Sequence, residues 1–171
     1  MFVDECSTNI ALVPRYARAP RGERAFGKAP RNWGPNVTLI SSITLEGMGA
    51  SMSIEGSADA ESFSLYLEDV LCPALKPGQI VVLDNLSVHK NKRVRELIEQ
   101  RDCELWFLPA YSPDLNPIEE AFSKAKGVLK RAKARTLEAL FEATGRALSA
   151  VGEEDTRGFF GHCGYATPGA H

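Results

Sequence analysis

The sequence predicts an α/β chain, a mixed β-sheet with helices packed on it, and three observations carry the prediction. Short apolar runs of strand length alternate with stretches of helical periodicity. The middle of the chain reads strand, helix, strand (Ile80 to Leu83, Lys92 to Glu99, Cys103 to Leu108), the order of a parallel crossover. The string NVTLISSITLEGMGASMSIEG reads as two β-type runs around a glycine turn, an antiparallel hairpin. With 171 residues, 44% hydrophobic and 25% charged, the chain has material for one domain with a sizeable core.

FVDECS at the start is an apolar pair followed by two acids, a short buried strand whose end delivers Asp4 or Glu5 to an edge of the sheet. Pro14 to Pro35 is loop chemistry, with Pro14, Pro20, Pro30 and Pro35 spread through a basic cluster. Val37 to Leu45 and Ala50 to Ile54 form the hairpin, turning at Gly47 and Gly49. A helix over Asp59 to Leu75 follows, with Ser57 as its cap and Phe63, Leu67, Val70, Leu71 and Ala74 on one face. The unbroken apolar run Ile80 to Leu83 marks a central strand buried on both faces, and Val94, Leu97 and Ile98 point inward from the next helix. Three prolines keep PAYSPDLNP irregular until Asn116 caps a helix with Pro117 at its first position and Ile118, Phe122, Ala125, Leu129 and Ala132 as its stripe. A last helix opens near Thr136 and buries Leu137, Leu140, Phe141, Thr144, Leu148 and Val151, while the tail of 152–171 has no assignment.

The net charge of −2 hides two basic patches. Arg15 to Arg31 carries six Lys/Arg against one Glu, and Lys124 to Arg135 carries six against none. Such patches serve either as solvated surface or as contacts to a phosphate backbone. Cys6, Cys72, Cys103 and Cys163 are far apart with no C-x-x-C pair, so reduced thiols are expected. No apolar run approaches the length of a membrane span, and neither the dinucleotide nor the P-loop glycine pattern is present.

Three carboxylates stand out by position. Asp4 ends the first strand, Asp84 ends the central strand, and Glu119 opens the helix after the proline loop, with 34 residues between the last two. Acids at strand and helix ends suit a hard divalent cation that keeps several waters and stays open to a phosphate ligand. Each has a local reading as well: N-x-x-E at Asn116 and Glu119 is a capping box, Asp84-Asn85 a turn, and Asp4 a solvated acid. Asp114 and Glu120 read as a turn residue and a helix-dipole partner, and His89 as a metal ligand, a phosphate donor or neither.

The strings FVDE, VVLDNLSVHK and LPAYSPDLNPIEEAFSKAK, in this order and spacing, closely resemble the catalytic domain of the IS630/Tc1/mariner superfamily of DDE transposases in its D-x34-E subgroup. The resemblance spans roughly residues 1 to 150. It implies a ribonuclease H-like fold, a mixed five-stranded sheet whose first three strands are antiparallel, flanked by helices. It implies that Asp4, Asp84 and Glu119 are catalytic and bind Mg²⁺ (or Mn²⁺), as two ions, for strand cleavage at transposon ends and strand transfer into target DNA, commonly at TA. His89, Lys124, Lys126, Lys130 and Arg131 are the expected DNA contacts.

Nothing before Asp4 supplies the helix-turn-helix region of members that act alone, so a separate polypeptide carrying it is an expected partner, beside a second copy of this chain and DNA. The expected setting is the bacterial cytoplasm, at the nucleoid. The rival expectation is a truncated, non-catalytic transposase remnant that only folds, dimerises or binds DNA. A nuclease of the same fold, such as a ribonuclease H or a junction resolvase, shares the chemistry but leaves SPDLNPIE without a reason.

Overall fold

The computed structural model describes residues 1–14, 16–32 and 34–166. Strands β1 (Phe2–Thr8), β2 (Val37–Thr44), β3 (Gly47–Glu55), β4 (Ile80–Leu83) and β5 (Glu104–Phe107) form one sheet in the order β3-β2-β1-β4-β5. The pairs β1/β2 and β2/β3 are antiparallel, while β1/β4 and β4/β5 are parallel. The expected sheet, with three antiparallel strands followed by a parallel crossover, is the one observed.

Period-two alternation along β1 divides its side chains between two cores. Phe2 and Cys6 join Ile118, Ala121 and Phe122 on one face. Val3 joins Phe63, Tyr66, Leu67, Val81 and Leu83 on the other. Asp4 therefore leaves the sheet on the side of Phe2 and Cys6, and Glu5 on the side of Val3.

The first helical stretch departs from expectation. Helix α1 (Ala60–Leu65) is capped by Asp59, not Ser57: Asp59 Oδ1 accepts from the Ser62 N–H at 2.8 Å and Ser62 Oγ accepts from the Asp59 N–H at 2.8 Å. The helix then widens into a π-helical segment, Tyr66–Leu71, and tightens into a 3₁₀ turn, Cys72–Ala74. The widened turn brings Tyr66 into the core, with its hydroxyl donating to Ala50 O at 2.9 Å, and leaves Ala74 exposed. Helix α2 (Lys92–Glu99) buries Val94, Leu97 and Ile98 as the periodicity requires.

Helix α3 (Pro117–Ala132) carries Pro117 in its first turn, where a missing N–H costs nothing. Glu119 and Glu120 in its first turn and Lys130 and Arg131 in its last match the helix dipole, and Lys133 in the left-handed region (φ 50°) ends it. Helix α4 (Leu137–Ser149) is capped by Thr136 as expected, but Phe141 is 40% exposed rather than buried. Of α4, Leu140, Ala143, Thr144 and Ala147 are buried, Leu137 and Leu148 pack partly buried against the core, and Val151 just beyond the helix is buried as expected.

The tail forms helix α5 (Glu153–His162), beyond which 167–171 lie outside the described residues, as do Arg15 and Trp33 of the basic loop. α5 lies on α3 through ion pairs of Asp155 with Lys124 and of His162 with Glu120. The hairpin turns at Leu45-Glu46, and Gly47 and Gly49 lie within β3. A Cβ at Gly49 would stand 2.6 Å from Ser42 Oγ, so close strand packing accounts for that glycine. In β4 only Val81 and Leu83 are fully covered. The four cysteines are buried and free, and among the described residues no helix is long and apolar enough to cross a membrane.

Phe122 is 1% exposed where α3 meets β1. Phe122→Ala is expected to destabilise the fold by about 3–4 kcal/mol through lost transfer energy and an unfilled cavity, read as a lower urea midpoint at unchanged slope.

Candidate active site

The carboxyl end of β4, the interior of β1 at Asp4 and the amino end of α3 meet around a cavity of about 320 Å³; Asp4, expected to end its strand, lies inside β1, which runs on to Thr8. Asp4, Asp84, Glu119 and Asn116 line it, with Asn85-Leu86 on one side and the loop Leu108–Pro113 on the other. The loop is fixed at both ends. The Leu108 N–H extends the sheet ladder to Leu83 O at 2.9 Å, and the Tyr165 hydroxyl donates to Leu115 O at 2.8 Å. At its apex Tyr111 takes a left-handed backbone (φ 57°) and is fully exposed at the rim.

The three acids are held to different degrees. Asp4 is 8% exposed and both its oxygens are occupied: Oδ1 accepts from the Glu5 N–H at 2.7 Å and Oδ2 from Asn116 Nδ2 at 2.8 Å. Asp84 lies one residue beyond β4, and its Oδ1 accepts from the Leu86 N–H at 3.1 Å and from His89 Nδ1 at 2.6 Å. Glu119 is exposed, and no hydrogen bond to its carboxylate is found among the described residues.

Burial raises the Asp4 carboxyl to about 7; the Glu5 N–H opposes this, while the charges of Glu5, Glu119 and Asp84 add to it. Burial opposes ionisation of Asp84 as well, but the hydrogen bonds from His89 and the Leu86 N–H and the charge of His89 hold it below its ordinary range. Burial alone would lower His89; its bonds to Asp84 and Glu5 and their charges outweigh that and lift it to about 9.

Two expectations are corrected here. His89, expected at the DNA, is 0% exposed: Nε2 reaches Glu5 Oε1 at 3.0 Å, Nδ1 holds Asp84, and the ring lies 4.3 Å from that of Phe63. It has no free face for a phosphate. Asn116 occupies the cap position of α3 but makes no side-chain cap, so the N-x-x-E box with Glu119 does not form. Its amide turns to Asp4 instead.

Among the expected DNA-contacting cations, Lys124 is engaged by Asp155, and Lys126 lies close enough for its charge to oppose in part the upward push of burial on the Cys6 thiol. Lys130 and Arg131 lie about 17 Å further along α3 than Glu119 at 1.5 Å per residue, away from the cavity. Glu5 as the partner of His89 was not legible as such, because nothing local in FVDECS points to a residue 84 positions away.

The candidate metal-ligating atoms around the cavity are all oxygens, and Asn116 Oδ1 is buried without a hydrogen-bond partner among the described residues. Such a set fits a hard divalent cation that keeps part of its water shell. Among the described residues no three His, Cys, Asp or Glu side chains are already gathered tightly enough to hold an ion, so the acids surround the cavity rather than converge on a point.

Fold and site together define a carboxylate-lined α/β domain of the ribonuclease H-like class. A family model described as DDE superfamily endonuclease matches residues 1–141, and the chain belongs to that family. It is 27% identical over 144 residues to the Tc1 transposase of Caenorhabditis elegans, covering 80% of this chain and 53% of that protein. The chain thus spans about half the length of this curated relative. The Mos1 transposase paired-end complex with left transposon end superposes with TM-score 0.76 at 21% identity, over 95% of this chain and 51% of that one. The Mos1 transposase catalytic domain with Raltegravir and Mg superposes with TM-score 0.68 at 19% identity, over 95% and 78%. At these identities the superpositions establish the fold.

Asp4 supplies a pH signature. With the carboxyl raised from 3.8 to about 7, the folded state holds a proton that the unfolded state has released, so stability falls as pH rises through that window. Asp4→Asn removes the penalty, and once the Asn116 amide turns over its Oδ1 accepts from the new side-chain amide in place of the present Nδ2-to-Oδ2 bond. In EDTA at pH 8 it is expected to be ~2 kcal/mol more stable than the parent, about half of what a three-unit shift is worth. The stability difference should shrink toward pH 4 in denaturant titrations. A variant no more stable than the parent at pH 8 would contradict this electrostatic account.

Proposed function

We propose that this chain is the metal-dependent strand-cleavage and strand-transfer domain of a transposase of the IS630/Tc1/mariner type, encoded by an insertion sequence. The observation that carries this reading is the presence of Asp4, Asp84 and Glu119 around one open cavity, on the three elements where the motifs fall. Membership of the DDE endonuclease family supports it. The Mos1 complexes described with Mg and with Mn support a divalent cofactor.

In this reading Asp4, Asp84 and Glu119 hold Mg²⁺ or Mn²⁺, two ions in the full site. Bound metal activates a water or a 3′-hydroxyl and stabilises the leaving oxygen of a phosphodiester. The chain's own residues do the rest. Asn116 orients Asp4, and the ladder bond from Leu108 to Leu83 keeps the proline loop against the end of β4. The Glu119 carboxylate, without a hydrogen bond among the described residues, adjusts to whatever the other two acids hold. Tyr111 offers an exposed ring at the rim on which a base of the entering strand can stack. Lys126, Lys130 and Arg131 follow the backbone further along α3, and Lys124 joins them only on leaving Asp155.

The substrates are transposon ends and a TA target. The partners are a second copy of this chain and a helix-turn-helix polypeptide that reads the ends, and the setting is the bacterial cytoplasm.

Asp84→Ala is expected to abolish Mg²⁺- or Mn²⁺-dependent nicking of a transposon-end duplex by the purified chain while leaving its circular dichroism unchanged. Equal nicking by parent and variant would sink the assignment. A folded parent that binds no metal and cleaves nothing would instead mark a non-catalytic module, and cleavage confined to RNA–DNA hybrids would mark a ribonuclease H.

A further inference from the structure

We propose that Glu5 and His89 are positioning residues for Asp84, joined in a relay through the buried His89 ring that fixes which carboxylate oxygen Asp84 presents to the cavity. The proposal rests on the metal-site reading given above.

Asp84 needs such a device because of where it stands. β4 ends at Leu83, so Asp84 lies one residue beyond the last β4/β5 ladder pair, Leu83 with Phe107, and is held by side-chain and turn contacts instead of ladder pairing with β5. Asp4, by contrast, sits within the β1/β2 ladder opposite Ser41 and has both oxygens tied. For Asp84, the Leu86 N–H and His89 Nδ1 both converge on Oδ1, which leaves Oδ2 as the oxygen free to face the cavity.

His89 is itself fixed from two other elements. Glu5 of β1 holds Nε2 at 3.0 Å, and the Phe63 ring of α1 lies 4.3 Å from the imidazole at an interplanar angle of 34°. The ring can neither turn over nor slide without breaking a hydrogen bond that nothing in its buried surroundings replaces.

Strand alternation adds the second half of the argument. Asp4 and Glu5 are neighbours in β1, so one enters the cavity from the α3 face while the other passes down the α1 face and reaches Asp84 through His89. Two consecutive acids on one strand therefore control two of the three candidate ligands, one as a ligand and one from behind. Carboxylate partners of this kind behind metal-binding groups are worth about 10–100-fold in metal affinity or activity.

The test uses the full chain, with Mn²⁺ alone and then with a transposon-end duplex. Glu5→Gln keeps size and an acceptor for Nε2 but removes the charge. His89→Phe keeps a ring over Phe63 and removes both donors, and His89→Asn restores a donor near the Nδ1 position only.

The Mn²⁺ dissociation constant, read from the free-ion paramagnetic resonance signal, is expected to rise about 10-fold in Glu5→Gln and up to about 100-fold in His89→Phe. His89→Asn should recover part of the loss. In cleavage assays kcat is expected to fall while KM for DNA stays at the parental value.

Asp84→Ala is the control. If it binds Mn²⁺ like the parent, or the parent binds none, the metal-site reading fails and the relay with it. If Asp84→Ala loses binding while folded Glu5→Gln matches the parent, the relay alone is overturned. His89→Asn no better than His89→Phe would reduce His89 to packing and overturn its positioning role. Should His89→Phe fail to fold, Glu5→Gln decides alone.

Discussion

Like-charge crowding at one end of the sheet is the constraint around which the rest of the molecule is arranged. Asp4, Glu5, Asp84 and Glu119 stand close enough that three of them raise the proton affinity of the fourth. A core that gathers acids in this way must either neutralise them or spread them among donors. This fold does both. A buried imidazole sits between Glu5 and Asp84, an asparagine amide and a backbone N–H share Asp4, and Glu119 is placed at the electropositive end of α3. The crowding left on Asp4 is what a bound cation would relieve.

The helices serve this end of the sheet in unequal ways. α1 and its π-helical continuation supply the apolar wall against which His89 stacks. α3 supplies Glu119, and Asn116 just before it reaches Asp4. α5 forms ion pairs with Lys124 and Glu120, and together with the hydroxyl of Tyr165 beyond it these hold the first turns of α3 and the proline loop in place. The support for the site thus comes from a segment whose sequence carries no chemistry of its own.

Much of the fold could be read from residues because the governing signals were local. Four apolar residues ending in Asp84 mark a strand end, Pro117 marks a helix start, and Val94, Leu97 and Ile98 mark a helix face. Where the sequence misled, a contact distant along the chain overrode a local rule. Asn116 satisfies every condition for a helix cap, but a buried carboxylate 112 residues earlier claims its amide. His89 sits in a polar loop of the sort that binds phosphates, but Phe63 and Glu5 enclose it. Phe141 fits the helical stripe of α4 yet faces outward, and α5 hid behind a weak pattern interrupted by Gly158 and Gly161.

The division of labour between Asp4 and Glu5 has a consequence for how this site can be lost. The two acids differ by one methylene and in which face of β1 they occupy, and the face is set by the pairing of Phe2 through Thr8 with Ile43 through Val37. Because side chains alternate with a period of two, sliding β1 by one position would exchange their destinations, sending a longer acid into the cavity and a shorter one toward His89. Every residue would survive such a slip and neither task would be met. The site is thus sensitive to the length of the chain in and around β1 as well as to its composition, and a single-residue insertion there would erase it as surely as losing a carboxylate.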